Sequence, residues 1–358
     1  MRVADAGTQG GREESPRRGE VRRVRLSLAP GLYIEFVDRD AALRRVVEWA
    51  EGGTRFPVVV FGPEGCGKSA FLRQAAEMLN ELGYDVVYVD VVHRDFVAHT
   101  SVAEAVKKLV EAASDASGLA PLKLATLAVD AVRELIKHWG RGRVAVLVDE
   151  AFQAVGIDRA GLYVKSLLNL IEYPPRDYER IVAVVATSEG LSRAEIGRHL
   201  WAELRPMWNM PREGFRQLYE RLPGPKPPFE DAWRWAGGNP RMLERLYRAG
   251  WRVERLVLDL GRERGLAPGL TARWREWLER AVEDPDALWS PDAPGELVRQ
   301  LVEMNLIVYN MYERDPYFWV DAPPPERDPE LGIGRRAAWQ TPVHREAVRR
   351  ALREVGLR

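Results

Sequence analysis

Apolar positions follow two different rhythms along this chain. Between residues 40 and 51, Ala41, Leu43, Val46, Val47 and Ala50 recur at the spacing of one helix face, and Gly52-Gly53 ends the element. Pro57-Val58-Val59-Val60-Phe61 is then continuously apolar, as a strand buried on both faces would be. The alternation repeats: a helix over 70–82, a strand over 84–90, helices at about 101–114 and 121–139, a strand over 144–148, a helix over roughly 160–172 and a strand over 181–186. Apolar strands separated by amphipathic helices predict an α/β fold, a parallel sheet with helices on both faces and right-handed crossovers.

The rhythm changes after about 190. Residues 191–283 read as helical, interrupted by the Pro-rich stretch 222–228. A helix over 294–304 then runs into strands over 306–309 and 317–320, a loop begins at Pro323-Pro324-Pro325, and 341–355 returns to helix. A helix followed by a hairpin predicts a small winged-helix-like module. The organisation expected is a disordered tail over 1–28, whose mixed charges and glycines offer little to a core, a nucleotide-binding domain over 29–210, a helical lid over 211–284 and the winged-helix-like module over 285–358.

With 358 residues, the chain suffices for two domains or one large domain with an appendage. No apolar run approaches the roughly 20 residues of a membrane span, and the N-terminus lacks an apolar signal core, so a cytoplasmic location is expected. The 53 basic residues balance 53 acidic ones, giving no global pull toward nucleic acid. One Cys excludes an internal disulfide, and the His at 93, 99, 138, 199 and 344 form no ligand pair.

Gly62-Pro63-Glu64-Gly65-Cys66-Gly67-Lys68-Ser69 matches G-x-x-x-x-G-K-[ST], between a strand and a helix. Its glycines let the backbone N–H groups turn inward on phosphate oxygens, and the helix continuing through Ala70 adds its positive end. Lys68 supplies a point charge for the β- and γ-phosphates, and Ser69 a hydroxyl for magnesium. The expected ligands are ATP or ADP with Mg2+. Cys66 is either a small residue fitting a tight turn or a thiol activated by nearby N–H groups. Asp149-Glu150 end the apolar strand over 144–148. Asp149 is expected to bind magnesium, and Glu150 to orient or deprotonate the attacking water; such a pair could alternatively begin a helix. Thr187-Ser188 end the next strand, where Ser188 could sense the γ-phosphate, hold the attacking water, or cap the following helix. Hydrolysis at such a site often takes an arginine from a neighbouring subunit; Arg193, Arg198 and Arg205 follow this strand as candidates, with Arg198 singled out and an ordinary solvated helix face as the alternative reading.

Four stations together resemble one family: Phe36-Val37-Asp38-Arg39, the phosphate loop, Leu147-Val148-Asp149-Glu150 and Gly237-Gly238-Asn239-Pro240-Arg241. The chain resembles an archaeal ATPase of the signal-transduction (STAND) branch of AAA-type P-loop proteins, over roughly residues 33–355. The upstream station keeps Phe36, Val37 and Arg39, but has Asp38 where the family has Gly and Ala42 where it has Glu. The resemblance implies nucleotide contacts from Val37 and Arg39, and Pro240 packed near the adenine; Pro240 also suits a helix start. It implies a five-stranded sheet, its fifth strand placed near 206–210, together with a lid and a winged helix. Three functions are compatible: Mg-dependent ATP hydrolysis coupled to movement of the lid and winged helix, a nucleotide-dependent switch or scaffold with little turnover, and a DNA-binding initiator-like ATPase. The helix over 294–304 carries only Arg299 against Glu296 and Glu303, whereas the last helix carries Arg345, Arg349, Arg350 and Arg353. DNA is therefore not the favoured partner. A protein partner or self-association through the C-terminal module, with Trp319 or neighbouring aromatics in the surface, is the other expectation.

Overall fold

The structure is a computed structural model that describes residues 22–100, 107, 111, 120–139, 142–188 and 190–356. The helix expected over 101–114 lies almost wholly outside these residues. The chain opens with a hairpin, β1 (Arg25–Ala29) and β2 (Leu32–Glu35), which begins inside the stretch read as a tail. There follow α1 (Asp40–Gly52), β3 (Val58–Phe61), α2 (Lys68–Glu81), β4 (Asp85–Asp90), β5 (Asp95–His99), α3 (Ala120–Trp139), β6 (Arg143–Asp149), α4 (Ala151–Val155), α5 (Ile157–Glu172), β7 (Arg180–Thr187), α6 (Gly190–Ile196) and β8 (Glu203–Pro206).

Strand order in the sheet is β5-β4-β6-β7-β3-β8. The five strands from β4 to β8 run parallel, and β5 joins the β4 edge antiparallel. Because side chains alternate across a strand, Val144, Val146 and Val148 of β6 pack into one core with α3 and α5. Ala145 and Leu147 enter another core with α1 and α2. Burial on both faces explains why these strands read as unbroken apolar runs. The fifth parallel strand precedes the position expected for it: Glu203–Pro206 pairs with β3, and Met207 at its end faces the phosphate loop.

Helices α7 (Arg212–Glu220), α8 (Phe229–Ala236), α9 (Pro240–Arg248) and α10 (Val253–Glu263) form a separate core, joined by Ile34 and Val37 of the N-terminal segment and by Val343 and Ala347. The chain continues through α11 (Pro268–Arg273), α12 (Arg275–Glu283), α13 (Gly295–Glu303), β9 (Ile307–Tyr309), β10 (Ala337–Trp339) and α14 (Pro342–Gly356). This last part is a winged-helix-like region packed around Leu288, Leu297, Leu301 and Trp339.

One expectation in this part is corrected. No strand forms over 317–320; Pro316–Phe318 is a 3-10 turn, and β9 pairs instead with β10. Pro316 fixes the backbone, and the Asp315 carboxylate accepts the Tyr317 N–H, both of which favour a turn over a ladder. Trp319 is therefore no surface aromatic. It is buried, and its indole N–H donates to the Glu313 carbonyl. The long connection between β9 and β10 instead crosses the sheet edge, where the Val320 N–H donates to the Pro206 carbonyl.

Candidate nucleotide-binding site

Strand β3 ends at Phe61 and α2 begins at Lys68, so the intervening loop must turn sharply at the carboxyl edge of the sheet. Two of its glycines are required by what surrounds them. A Cβ on Gly62 would lie 2.0 Å from the Met207 carbonyl oxygen, and one on Gly65 2.2 Å from the Arg241 Cβ. Gly65 and Gly67 also have positive φ, 75° and 107°. Lys68 is buried, and its ammonium donates to the carbonyls of Gly62 at 3.0 Å and Pro63 at 2.9 Å. Cys66 is fully buried, with its thiol 3.6 Å from the Met207 carbonyl oxygen. That location fits the reading of a small residue in a tight turn.

Asp149 ends β6 beside the loop, in register with Asp90 on β4. Its carboxyl is pushed up to about 7, first by burial and then by the charge of Glu150, and is partly held down by a hydrogen bond from Ser69. Asp149 Oδ1 is buried with no hydrogen-bond partner. A buried carboxylate oxygen without a partner is costly, and a hard cation shared with the Ser69 hydroxyl would satisfy it. The donor set, one carboxylate and one hydroxyl at a phosphate loop, suits Mg2+.

Glu150 adopts a left-handed conformation, φ 51°, which aims its carboxylate at the end of β7. The Ser188 hydroxyl donates to Oε1, the Ser188 N–H to Oε2 at 3.1 Å, and the Gln153 amide to Oε2 at 3.1 Å. Glu150 stands at the start of α4 without capping it through its side chain, so the helix-start alternative does not account for the carboxylate.

Arg39 is buried next to the loop. It donates to the Cys66 carbonyl and pairs with Asp321 at 2.7 Å, both partners nearly inaccessible. Asp38 is half-buried, with its carboxylate against Gly214, where a Cβ would lie 1.9 Å from it. Burial and the charge of Asp321 raise its carboxyl above the usual range. Val37 lies in the core built by α7 to α10. Pro240 is the first residue of α9, which Asn239 caps by accepting the Met242 N–H. Its ring lies 3.9 Å from where a Gly67 Cβ would be. Helix-start and loop-facing readings of Pro240 thus hold together; the Asn-Pro pair is also a recognisable helix N-terminus.

Several loop contacts come from far along the chain. The Gln340 side chain accepts the Glu64 N–H at 2.8 Å, Asn239 donates to the Glu64 carbonyl at 2.9 Å, and Arg264 pairs with the Glu64 carboxylate. These partners lie from 175 to 276 positions downstream; Asn239 belongs to a station already singled out in the sequence, whereas nothing local distinguishes Gln340 or Arg264.

Of the three candidate arginines, Arg198 is exposed and pairs with Glu195 one turn earlier. Arg205 donates to the Tyr317 carbonyl and pairs with Glu203. Arg193 is turned inward, with its guanidinium between the rings of Phe61 and Tyr312 at 4.8 and 4.7 Å, donating to the carbonyls of Tyr309 and Asn310. Both inward arginines are occupied by the chain itself.

Comparison with solved structures finds remote likenesses. Aeropyrum pernix Orc1 in complex with DNA is 16% identical, with 89% of this chain and 93% of that one covered at a TM-score of 0.39. The AMPPCP-bound DnaA of Aquifex aeolicus is 15% identical over 70% and 75%, TM-score 0.37. A Thermotoga maritima RuvB mutant is 13% identical over 76% and 87%, TM-score 0.39. Comparison with curated proteins gives no match. Among protein families, the model for an ATPase domain predominantly from Archaea matches residues 36–246. This span runs from Phe36 through the phosphate loop and Asp149-Glu150 into α9, so the chain belongs to the family of ATPase domains found predominantly in Archaea.

Proposed function

We propose that the protein is a nucleotide-dependent switch that binds Mg·ATP at the loop 62–69 and carries the parts for hydrolysing it. The observation behind this reading is the unpartnered, buried Asp149 Oδ1 beside Ser69, at the foot of a phosphate loop. In this scheme Lys68 leaves the loop carbonyls for the phosphates, Ser69 and Asp149 hold the cation, and Glu150 orients the attacking water. Bound magnesium would neutralise charge developing on the phosphates. Arg39 beside Cys66 and Pro240 beside Gly67 are near enough to the loop to meet the nucleotide, Val37 would act through the lid core in which it is buried, and Arg198, exposed and paired only with its helix neighbour Glu195, is the arginine that can reach a neighbouring subunit. The switch aspect rests on where the loop is held. Glu64 touches α9, the end of α10 and Gln340, while Arg39 joins the Cys66 carbonyl to Asp321, so a ligand that moves the loop acts on both downstream parts. Placement in the STAND branch rests on Gly238-Asn239-Pro240 and belongs to the same proposal, as do the boundaries drawn at 210 and 284; the one at 28 falls inside β1.

A second reading is a DNA-binding initiator-like ATPase, in the manner of the Aeropyrum pernix Orc1 seen in complex with DNA. The basic last helix does not favour it. Arg345 donates to the carbonyls of Pro329 and Glu330, Arg349 and Arg353 pair with Glu346, and Arg350 pairs with Glu354. Among the described residues no helix is long and apolar enough to cross a membrane.

The deciding experiment is Mg·ATP binding and turnover for the native protein, Lys68→Ala and Glu150→Gln. Lys68→Ala is expected to abolish binding, and Glu150→Gln to keep binding while losing whatever turnover exists. Binding that survives Lys68→Ala would remove the loop from the site. A salt-sensitive gel shift at low ionic strength would restore the DNA reading.

A further inference from the structure

The carboxylate of Glu150 and the C-terminal region are gripped by two residues close in sequence, Ser188 and Arg193. Ser188 donates to both oxygens of Glu150, through its hydroxyl and its backbone N–H. In α6, Arg193 enters the C-terminal region, held by the carbonyls of Tyr309 and Asn310 and by the ring of Tyr312. The same guanidinium lies over Phe61, the residue immediately before the phosphate loop. Close packing reinforces this seat: a Cβ on Gly190, at the start of α6, would lie 2.7 Å from Val302 of α13. A guanidinium has a fixed planar fork, so two carbonyls and two ring faces define its position closely.

We propose that Ser188 is the positioning residue for Glu150 and that Arg193 ties this grip to the C-terminal region, so that the seat of the water-activating carboxylate and the seat of β9 are set together. The proposal rests on the Mg·ATP reading above. Arg193 is by this account an internal connector, not an arginine offered to a neighbour. It follows from two-ended restraint: a ligand that shifts Glu150 pulls on Ser188, and α6 passes the shift on only if Arg193, in its middle, is anchored.

The test is amide hydrogen exchange over residues 305–312 of the full chain, with and without Mg·ATP, for the native protein, Ser188→Ala, Ser188→Thr and Arg193→Met. Nucleotide binding is measured alongside by calorimetry. The native protein is expected to change exchange at β9 when Mg·ATP binds. Ser188→Ala and Arg193→Met should bind Mg·ATP within a few-fold of native and lose that change, whereas Ser188→Thr, which keeps the hydroxyl, should retain it. Where turnover is measurable, Ser188→Ala should lower kcat about tenfold with KM little altered, as loss of a hydrogen bond to a charged group does. Arg193→Lys, which keeps the charge but not the fork, replaces Arg193→Met if the latter fails to fold. Nucleotide-dependent exchange at β9 that persists in both Ser188→Ala and the Arg193 variant overturns the proposal, as does a native protein that binds Mg·ATP without any change there. A native protein that does not bind Mg·ATP instead sinks the nucleotide reading itself.

Discussion

Asp149 makes a quantitative prediction, because the same burial that leaves its oxygen unpartnered also holds on to its proton. With the carboxyl at about 7, the cation has to displace a proton below neutral pH, and each pH unit weakens binding about tenfold, or about 1.4 kcal/mol. Asp149→Asn has no such proton and serves as the reference, since titration of the nucleotide itself is common to both proteins. The advantage of the native protein over Asp149→Asn in Mg·ATP affinity should therefore shrink about tenfold between pH 8 and pH 6. The stability of the metal-free protein should move the opposite way. A folded value raised from 3.8 to about 7 gives a contribution that is complete below 3.8 and lost as pH rises through 7. From pH 5 to pH 8 the native protein should thus lose roughly 3 kcal/mol relative to Asp149→Asn in urea unfolding, an upper bound because Glu150 shares in the effect. Calorimetry with and without Mg2+ measures the first effect, and unfolding curves in EDTA the second. Parallel pH profiles for the two proteins in both assays would refute the reasoning.

Other variants test single contacts. Arg39→Ala leaves Asp321 buried beside Asp38 without its guanidinium, and should destabilise the protein by about 3–5 kcal/mol in urea unfolding; Asp321→Asn together with Arg39→Met should recover part of that loss. Gly65→Ala forces a Cβ against Arg241 at a positive φ, so nucleotide affinity should fall sharply while the far-UV circular dichroism stays native. Arg198→Ala should change stability by less than about 0.5 kcal/mol, as an exposed pair with Glu195 predicts; if it serves a neighbouring subunit, specific turnover will fall only at concentrations where the protein assembles.

The parallel part of the sheet was legible because it depends on local pattern. Val144 to Val148 read as a strand buried on both faces because five successive apolar residues ending on two carboxylates are too few for a buried helix. Gly62 to Ser69 was readable because the spacing of its glycines between a strand and a helix is a local pattern, and Gly65 and Gly67 do adopt positive φ. The antiparallel β5 was not legible, since half-buried edge positions carry weak alternation. The strand expected over 317–320 failed for a related reason: Tyr317 to Val320 has strand-like residues, but Pro316 and Asp315 cap a turn, and the β9 edge was taken by Ala337–Trp339. Pairing across such a distance is decided by tertiary packing, which sequence periodicity does not encode.

For this protein, the sequence by itself determined the phosphate-loop motif, the alternation of the parallel strands with their helices, and the identity of the acidic pair at the end of β6. Tertiary structure alone decided which partners those residues meet. Asp149 kept a proton near neutrality because the fold buried it, Glu150 met Ser188 because β6 and β7 are neighbours, and Arg193 turned inward because Phe61 and Tyr312 offered it two ring faces. Each of these depends on burial and on contacts between distant positions, which act only once the chain has closed on itself.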